Sequence, residues 1–253
     1  MLIRLIRSMS EGVPFTDVLI YILLLIPVIL ISLTVHEYMH GLVSYKLGDP
    51  TAMNYGRLTL NPIKHIDPLG AACMLLFGFG WAKPVPINSG YYKNIRLGIS
   101  LVSIAGPLSN FLMAFIATPI MLLIGHINVV VESMKLPVMA VYNLKQYGIM
   151  LNIDNFGGKL AVIGFMFFLF FVEMNIMFGI FNLLPIPPLD GSRLVMVFLP
   201  TKVYFFIVKY ELYIKIALLV LLYVGVFNEP LNFLENGVFR GFIGLWSLIP
   251  GLG

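Results

Sequence analysis

The stretch that most limits what this chain can fold into runs from Val18 to Val35, eighteen consecutive residues without a charge. As an α-helix such a run is about 27 Å long, close to the thickness of the hydrocarbon layer of a bilayer. It therefore predicts a membrane-crossing helix. The run ends in His36-Glu37-Tyr38-Met39-His40. Histidines at i and i+4 share one helix face, and the carboxylate between them sits beside that face. Titratable groups at membrane depth are costly to bury and usually mark a function. The two imidazoles can share one metal ion while Glu37 stays off the metal and handles the protons of a bound water. Histidines in helices more often pack in cores or interfaces, but the chain has only four. Two of them falling in this pattern inside an apolar span weights the reading toward a metal site.

The composition agrees with a membrane chain. Hydrophobic residues make up 59% and charged residues 11%, where soluble domains carry about 25% charged residues. The mean hydropathy is +0.94. No hydrophilic stretch is long enough for a separate soluble domain, so residues 1–253 read as a single membrane-embedded domain with its core over about 17–226. The net charge of +4 is not gathered in a basic run, which suggests contact with the lipid bilayer and no nucleic acid. Cys73 is the only cysteine, so no intrachain disulfide can form. Arg4 and Arg7 ahead of an apolar run imitate a signal peptide. No small-residue cleavage site follows, however, and cleavage there would remove the histidine motif. Residues 2–9 read instead as an interfacial amphipathic segment.

The predicted fold class is an all-α polytopic membrane protein, a bundle of about four to six transmembrane helices with a small membrane-associated β element and a possible re-entrant segment. The β element is expected at Arg57–Asn61, where polar and apolar residues alternate between Gly56 and Pro62. The re-entrant candidate is 67–82, too short and glycine-rich for a confident span, and the prolines of Lys83–Asn88 predict extended chain. A second span covers 97–125, with Gly106-Pro107-Leu108-Ser109-Asn110 inside it. Those residues either kink the helix for packing or shape the site. Residues 126–157 read as an extramembrane connection with a short amphipathic helix. A third span covers 160–184, interrupted by Glu173 and Asn175 and followed by Asn182-Leu183-Leu184-Pro185-Ile186-Pro187-Pro188-Leu189-Asp190-Gly191. Another apolar segment covers 203–226, and 230–250 reads as an interfacial tail.

Lys46, Arg57, Lys64, Lys83, Lys93 and Arg96 follow the first span, and Arg193 and Lys202 follow the third. The opposite side has Lys135, Lys145 and Lys159. The positive-inside rule then puts the His36/His40 end and the Asp190 end together on the cytoplasmic side. A catalytic zinc usually keeps three protein ligands and one open position. Asp190 is the candidate third ligand and His65 its competitor. His126 is excluded if it lies at the far end of span two.

These motifs resemble the site-2 proteases, zinc metalloproteases that cut substrates within or near the membrane. The resemblance rests on HEYMH at 36–40 and NLLPIPPLDG at 182–191, with support from GRLTLNPIKHIDPLG at 56–70, GWAKPVPIN at 80–88 and AGPLSN at 105–110. It covers about 17–226 and looks most like the compact members, without a PDZ-like or C-terminal regulatory domain. It implies one zinc ion held by His36, His40 and Asp190, Glu37 as general base, and Asn182 beside the active site; Asn110 and His65 are further candidates for substrate binding or active-site support. It also implies a multi-pass protein of a prokaryotic cell membrane whose partner is a membrane-protein substrate with a transmembrane segment. Nothing in the sequence speaks to the oligomeric state. Two other readings remain at this point. A membrane metal transporter would use the same ligands but gives Glu37 no task. A catalytically silent relative that binds membrane segments has no need of an intact motif.

Overall fold

Within hydrocarbon every backbone N–H and C=O must find a partner inside the chain, and a helix supplies one to each. The computed structural model describes residues 15–77, 80–126 and 156–252. Its helices are α1 (Phe15–Lys46), α2 (Thr51–Asn54), α3 (Pro68–Phe77), α4 (Ile95–Gly125), α5 (Phe156–Asn182), α6 (Asp190–Met196), α7 (Thr201–Val224) and α8 (Asn228–Trp246). Most of the 126–157 connection and all of segment 2–9 lie outside the described residues. The protein is all-α, and three of the described helices are long and apolar enough to cross a membrane: α1 from Val18, α4 and α5. The expected four to six are not reached among the described residues. α7 interrupts its apolar run with Lys202, Lys209, Glu211 and Lys215, and α3 has ten residues, about 15 Å of helix.

The core lies where α1, α4 and α5 meet. Val28 of α1, Ala114, Ala117 and Met121 of α4, and Val162, Met166, Leu169 and Ile176 of α5 are buried together. The alanines of α4 let its backbone approach both neighbours, the usual way helices associate in lipid. α8 lays one face on this bundle. Leu231 and Phe239 are buried, Phe115 of α4 contacts the rings of Phe242 and Trp246, and the Trp246 indole donates to the Phe115 carbonyl at 2.9 Å. Glu229 and Arg240 remain exposed.

The connection between α1 and α4 folds back on the end of α1. Asp67 starts α3 by accepting the Gly70 N–H at 2.7 Å. Ile66 and Ala82 then form an antiparallel bridge, and the Lys83 N–H donates to the His65 carbonyl at 2.9 Å. The residues that flank 67–81, Ile66 and Ala82, therefore lie side by side. The strand expected over Arg57–Asn61 is not formed. The Arg57 N–H closes the α2 turn on the Ala52 carbonyl at 2.8 Å, the Thr59 carbonyl accepts from His65 Nε2 at 2.8 Å, and Asn61 caps a 3-10 turn through the Ile63 N–H at 3.1 Å. Side chains and local turns take the polar groups that a strand would need for pairing. Among the described residues the β element shrinks to the Ile66–Ala82 bridge.

Candidate metal centre

α1 turns His36 and His40 toward α4. The His40 Nδ1–H donates to the Val102 carbonyl at 2.7 Å. A carbonyl can only accept, so Nδ1 of this imidazole carries a proton, and in the neutral ring Nε2 then presents a lone pair. His36 Nδ1 lies 2.6 Å from Asn110 Oδ1 in the same way. The two Nε2 atoms face each other at 3.0 Å, and Asp190 Oδ2 lies 3.1 Å from each. Both imidazoles are about 5% exposed or less.

Asp190 is the first residue of α6 and is delivered by the proline-rich turn that follows α5. A Cβ on Gly191 would stand 2.1 Å from the Leu183 carbonyl oxygen, so only glycine lets the start of α6 press against the end of α5. Burial works to raise the pKa of Asp190. The adjacent His36 and His40 imidazoles outweigh it and hold the carboxyl well below the usual carboxylate range.

Three lone-pair donors converging on one point repel one another unless a cation joins them, which is the chemistry of a metal site. The space fits as well. A Cβ on Gly106 of α4 would lie 2.4 Å from His40 Nε2 and 2.6 Å from His36 Cε1, so glycine keeps the ligating atoms open to an ion. The donor triangle has edges of 3.0 to 3.1 Å, slightly tighter than the roughly 3.3 Å face of a tetrahedron built on zinc–nitrogen bonds. His36, His40 and Asp190 are the group able to hold a metal ion among the described residues.

Glu37 stands beside the triangle, half-buried, with its Oε2 accepting the Val85 N–H at 2.9 Å. Val85 belongs to the extended 83–88 segment, which is pinned at both ends. Arg57 donates to the Lys83 carbonyl at 2.6 Å, and the Asn88 N–H donates to Asp49 Oδ2 at 2.7 Å. Asp49 is fully buried and also accepts from Ser44 Oγ at 2.8 Å, from the Thr51 N–H at 2.9 Å and from the Thr51 hydroxyl. Burial opposes ionisation of Asp49, but the bonds from Asn88, Thr51 and Ser44 win and lower its pKa.

The structure brings together His36, His40 and Asp190, with Asn110 behind His36. His65 is turned away to Thr59, and Asn182 donates to the Phe178 carbonyl of its own helix at 3.0 Å. His126 caps the far end of α4, sixteen residues or about 24 Å of helix beyond Asn110. The Val85 N–H, the Val102 carbonyl and Asp49 have no counterpart in the sequence reading. Two are backbone groups placed by tertiary docking. Asp49 follows a helix end and precedes a proline, where an aspartate reads as an ordinary turn residue.

Two imidazoles and a carboxylate converging on one point, with the non-ligating Glu37 alongside and apolar spans on either side, define a membrane protein with a metallohydrolase-type centre. The chain belongs to peptidase family M50, whose sequence profile matches residues 24–222. It is 39% identical over 197 residues to "Putative zinc metalloprotease YwhC" of Bacillus subtilis (strain 168), covering 78% of each chain. It is 29% identical over 167 residues to "Putative zinc metalloprotease Rip2" of Mycolicibacterium smegmatis (strain ATCC 700084 / mc(2)155), covering 64% of this chain and 52% of that one. No solved structure matches.

Proposed function

We propose that the protein is an intramembrane zinc metalloprotease that hydrolyses peptide bonds of membrane-protein substrates within or near the bilayer. The observation that carries this is the meeting of His36 Nε2, His40 Nε2 and Asp190 Oδ2 within 3.1 Å of one another beside Glu37. One zinc ion held there by His36, His40 and Asp190 would act as a Lewis acid and lower the pKa of bound water toward about 7. Glu37 accepts the proton of the attacking water and passes it to the leaving amine. The Val85 N–H engages one carboxylate oxygen and steadies Glu37 for that transfer. Asn110 and the Val102 carbonyl hold the two imidazoles by their Nδ1 protons, leaving both Nε2 atoms free to bind. The substrate is a chain with a transmembrane segment. Its helix unwinds locally before attack, because an intrahelical carbonyl is tied up in hydrogen bonds. The Lys and Arg asymmetry supports a centre that opens toward the cytoplasm.

The test is incubation of detergent-purified protein with single-span membrane peptides, with and without a chelator. Cleavage is expected only when the chelator is absent or zinc is restored, and Glu37→Gln should abolish it. Undiminished cleavage in excess chelator, or by Glu37→Gln, would overturn the reading. A metal transporter uses the same three ligands, but the held and oriented Glu37 favours hydrolysis over transport.

A further inference from the structure

Ser32, Asn110 and Asn175 come from three different helices, and each is fully buried in the bundle. Their hydrogen bonds run in one direction. The Asn175 amide nitrogen donates to the Phe171 carbonyl at 2.7 Å and to Ser32 Oγ at 2.8 Å. Ser32 in turn donates to the Val28 carbonyl at 2.7 Å. Phe171 and Val28 offer carbonyls, which can only accept, so these two contacts fix which way the Asn175 amide faces. Its Oδ1 must therefore accept, and it does so from Asn110 Nδ2 at 2.7 Å. The same Asn110 nitrogen reaches the Ser32 carbonyl at 3.4 Å. Asn110 Oδ1 is then the atom left facing His36 Nδ1 at 2.6 Å, so that ring nitrogen must carry the proton.

We propose that Ser32 and Asn175 are positioning residues for the metal centre, forming with Asn110 a one-way relay that holds His36 in its Nδ1–H tautomer and keeps Nε2 free to ligate. The proposal rests on the reading of His36 as a ligand. Simple packing between spans needs polar partners but no particular direction, since either face of a carboxamide can join two helices. This relay has one allowed sense, set by two helix carbonyls and ending on the imidazole nitrogen opposite the ligating one. Partners that orient a ligand in this way typically govern about 10–100-fold of metal affinity when removed.

The experiment compares zinc-loaded, detergent-purified variants by chelator competition and by 15N resonances of labelled histidines, of which the chain has only four. Asn175→Leu keeps the size and deletes the relay, so zinc affinity should fall about 10–100-fold and the His36 Nδ1–H resonance should shift or split. Asn175→Asp should keep both near wild type, because its carboxyl, kept neutral by full burial, donates to the Phe171 carbonyl through its O–H and still offers Asn110 an acceptor. Ser32→Ala should show a smaller loss of affinity, since Phe171 still holds Asn175, and it carries the test if Asn175→Leu fails to fold. Wild-type affinity and an unmoved resonance in the folded variants would overturn the proposal. So would an Asn175→Asp variant as impaired as Asn175→Leu, which would leave only a packing role. His36→Ala separates the two levels. Zinc retained there overturns the ligand reading itself, whereas zinc lost there but kept in Asn175→Leu overturns the relay alone.

Discussion

Glu37 and Asp190 are carboxylates at the same candidate centre, yet their surroundings assign them different work. Asp190 gives one oxygen to both histidines, while Glu37 turns an oxygen to a backbone amide. Glu37→Gln should therefore retain zinc and lose about 10²–10⁴-fold in cleavage, the usual contribution of a general base. Asp190→Asn should lose zinc as well, because a charged ligand is replaced by a weaker neutral one. Elemental analysis beside a cleavage assay checks the split, and equal zinc content in both variants would contradict it. Gly106→Ala should also lose zinc while α4 stays folded, because the added methyl would occupy the ligating space. The histidine pair was legible in the sequence because i and i+4 geometry is fixed by the helix itself. Asp190 was legible as a candidate through its charge and its place after the prolines. The groups that orient the ligands were not, since whether a carbonyl such as that of Val102 meets an imidazole depends on how two distant helices dock.

At the scale of the element, α8 carries a built-in sensitivity to pH. Burial against the bundle pushes the Glu235 carboxyl up to about 7. A group whose folded pKa is raised contributes its full stability below its unfolded value near 4.5, and that contribution is lost as the pH rises through about 7. Glu235→Gln should thus raise the melting temperature at pH 8 by a few degrees, with the gap closing toward pH 4.5. Thermal unfolding in detergent across that range reads it directly, and a gap independent of pH would count against a buried carboxyl. The long apolar helices were plain from sequence because lipid leaves an uncharged run few other structures. Arg57–Asn61 misled because five alternating residues carry no instruction about a neighbouring strand. The Thr59 carbonyl instead serves His65, and Asn61 a cap.

For the whole molecule, the elements that build the centre also set its sidedness. With Cys73→Ala as background, cysteines placed at Lys83 and Arg193 should react with an impermeant reagent from the cytoplasmic side. A cysteine at His126, beyond the far end of α4, should react from the other. Reaction of all three from one side would reject the orientation. His36 and Asp190 stand 154 positions apart in the chain yet share one contact point. An ion bound between them would staple the first span to the segment after the third, so loading and folding would be one linked equilibrium. At a free zinc level one hundred times the dissociation constant, the linkage is worth about 2.7 kcal/mol. Thermal unfolding should therefore shift upward with added zinc in the wild type and stay still in Asp190→Asn. A cell short of the ion would then hold less of the protein as well as less activity, because the unstapled chain opens more often to whatever degrades it.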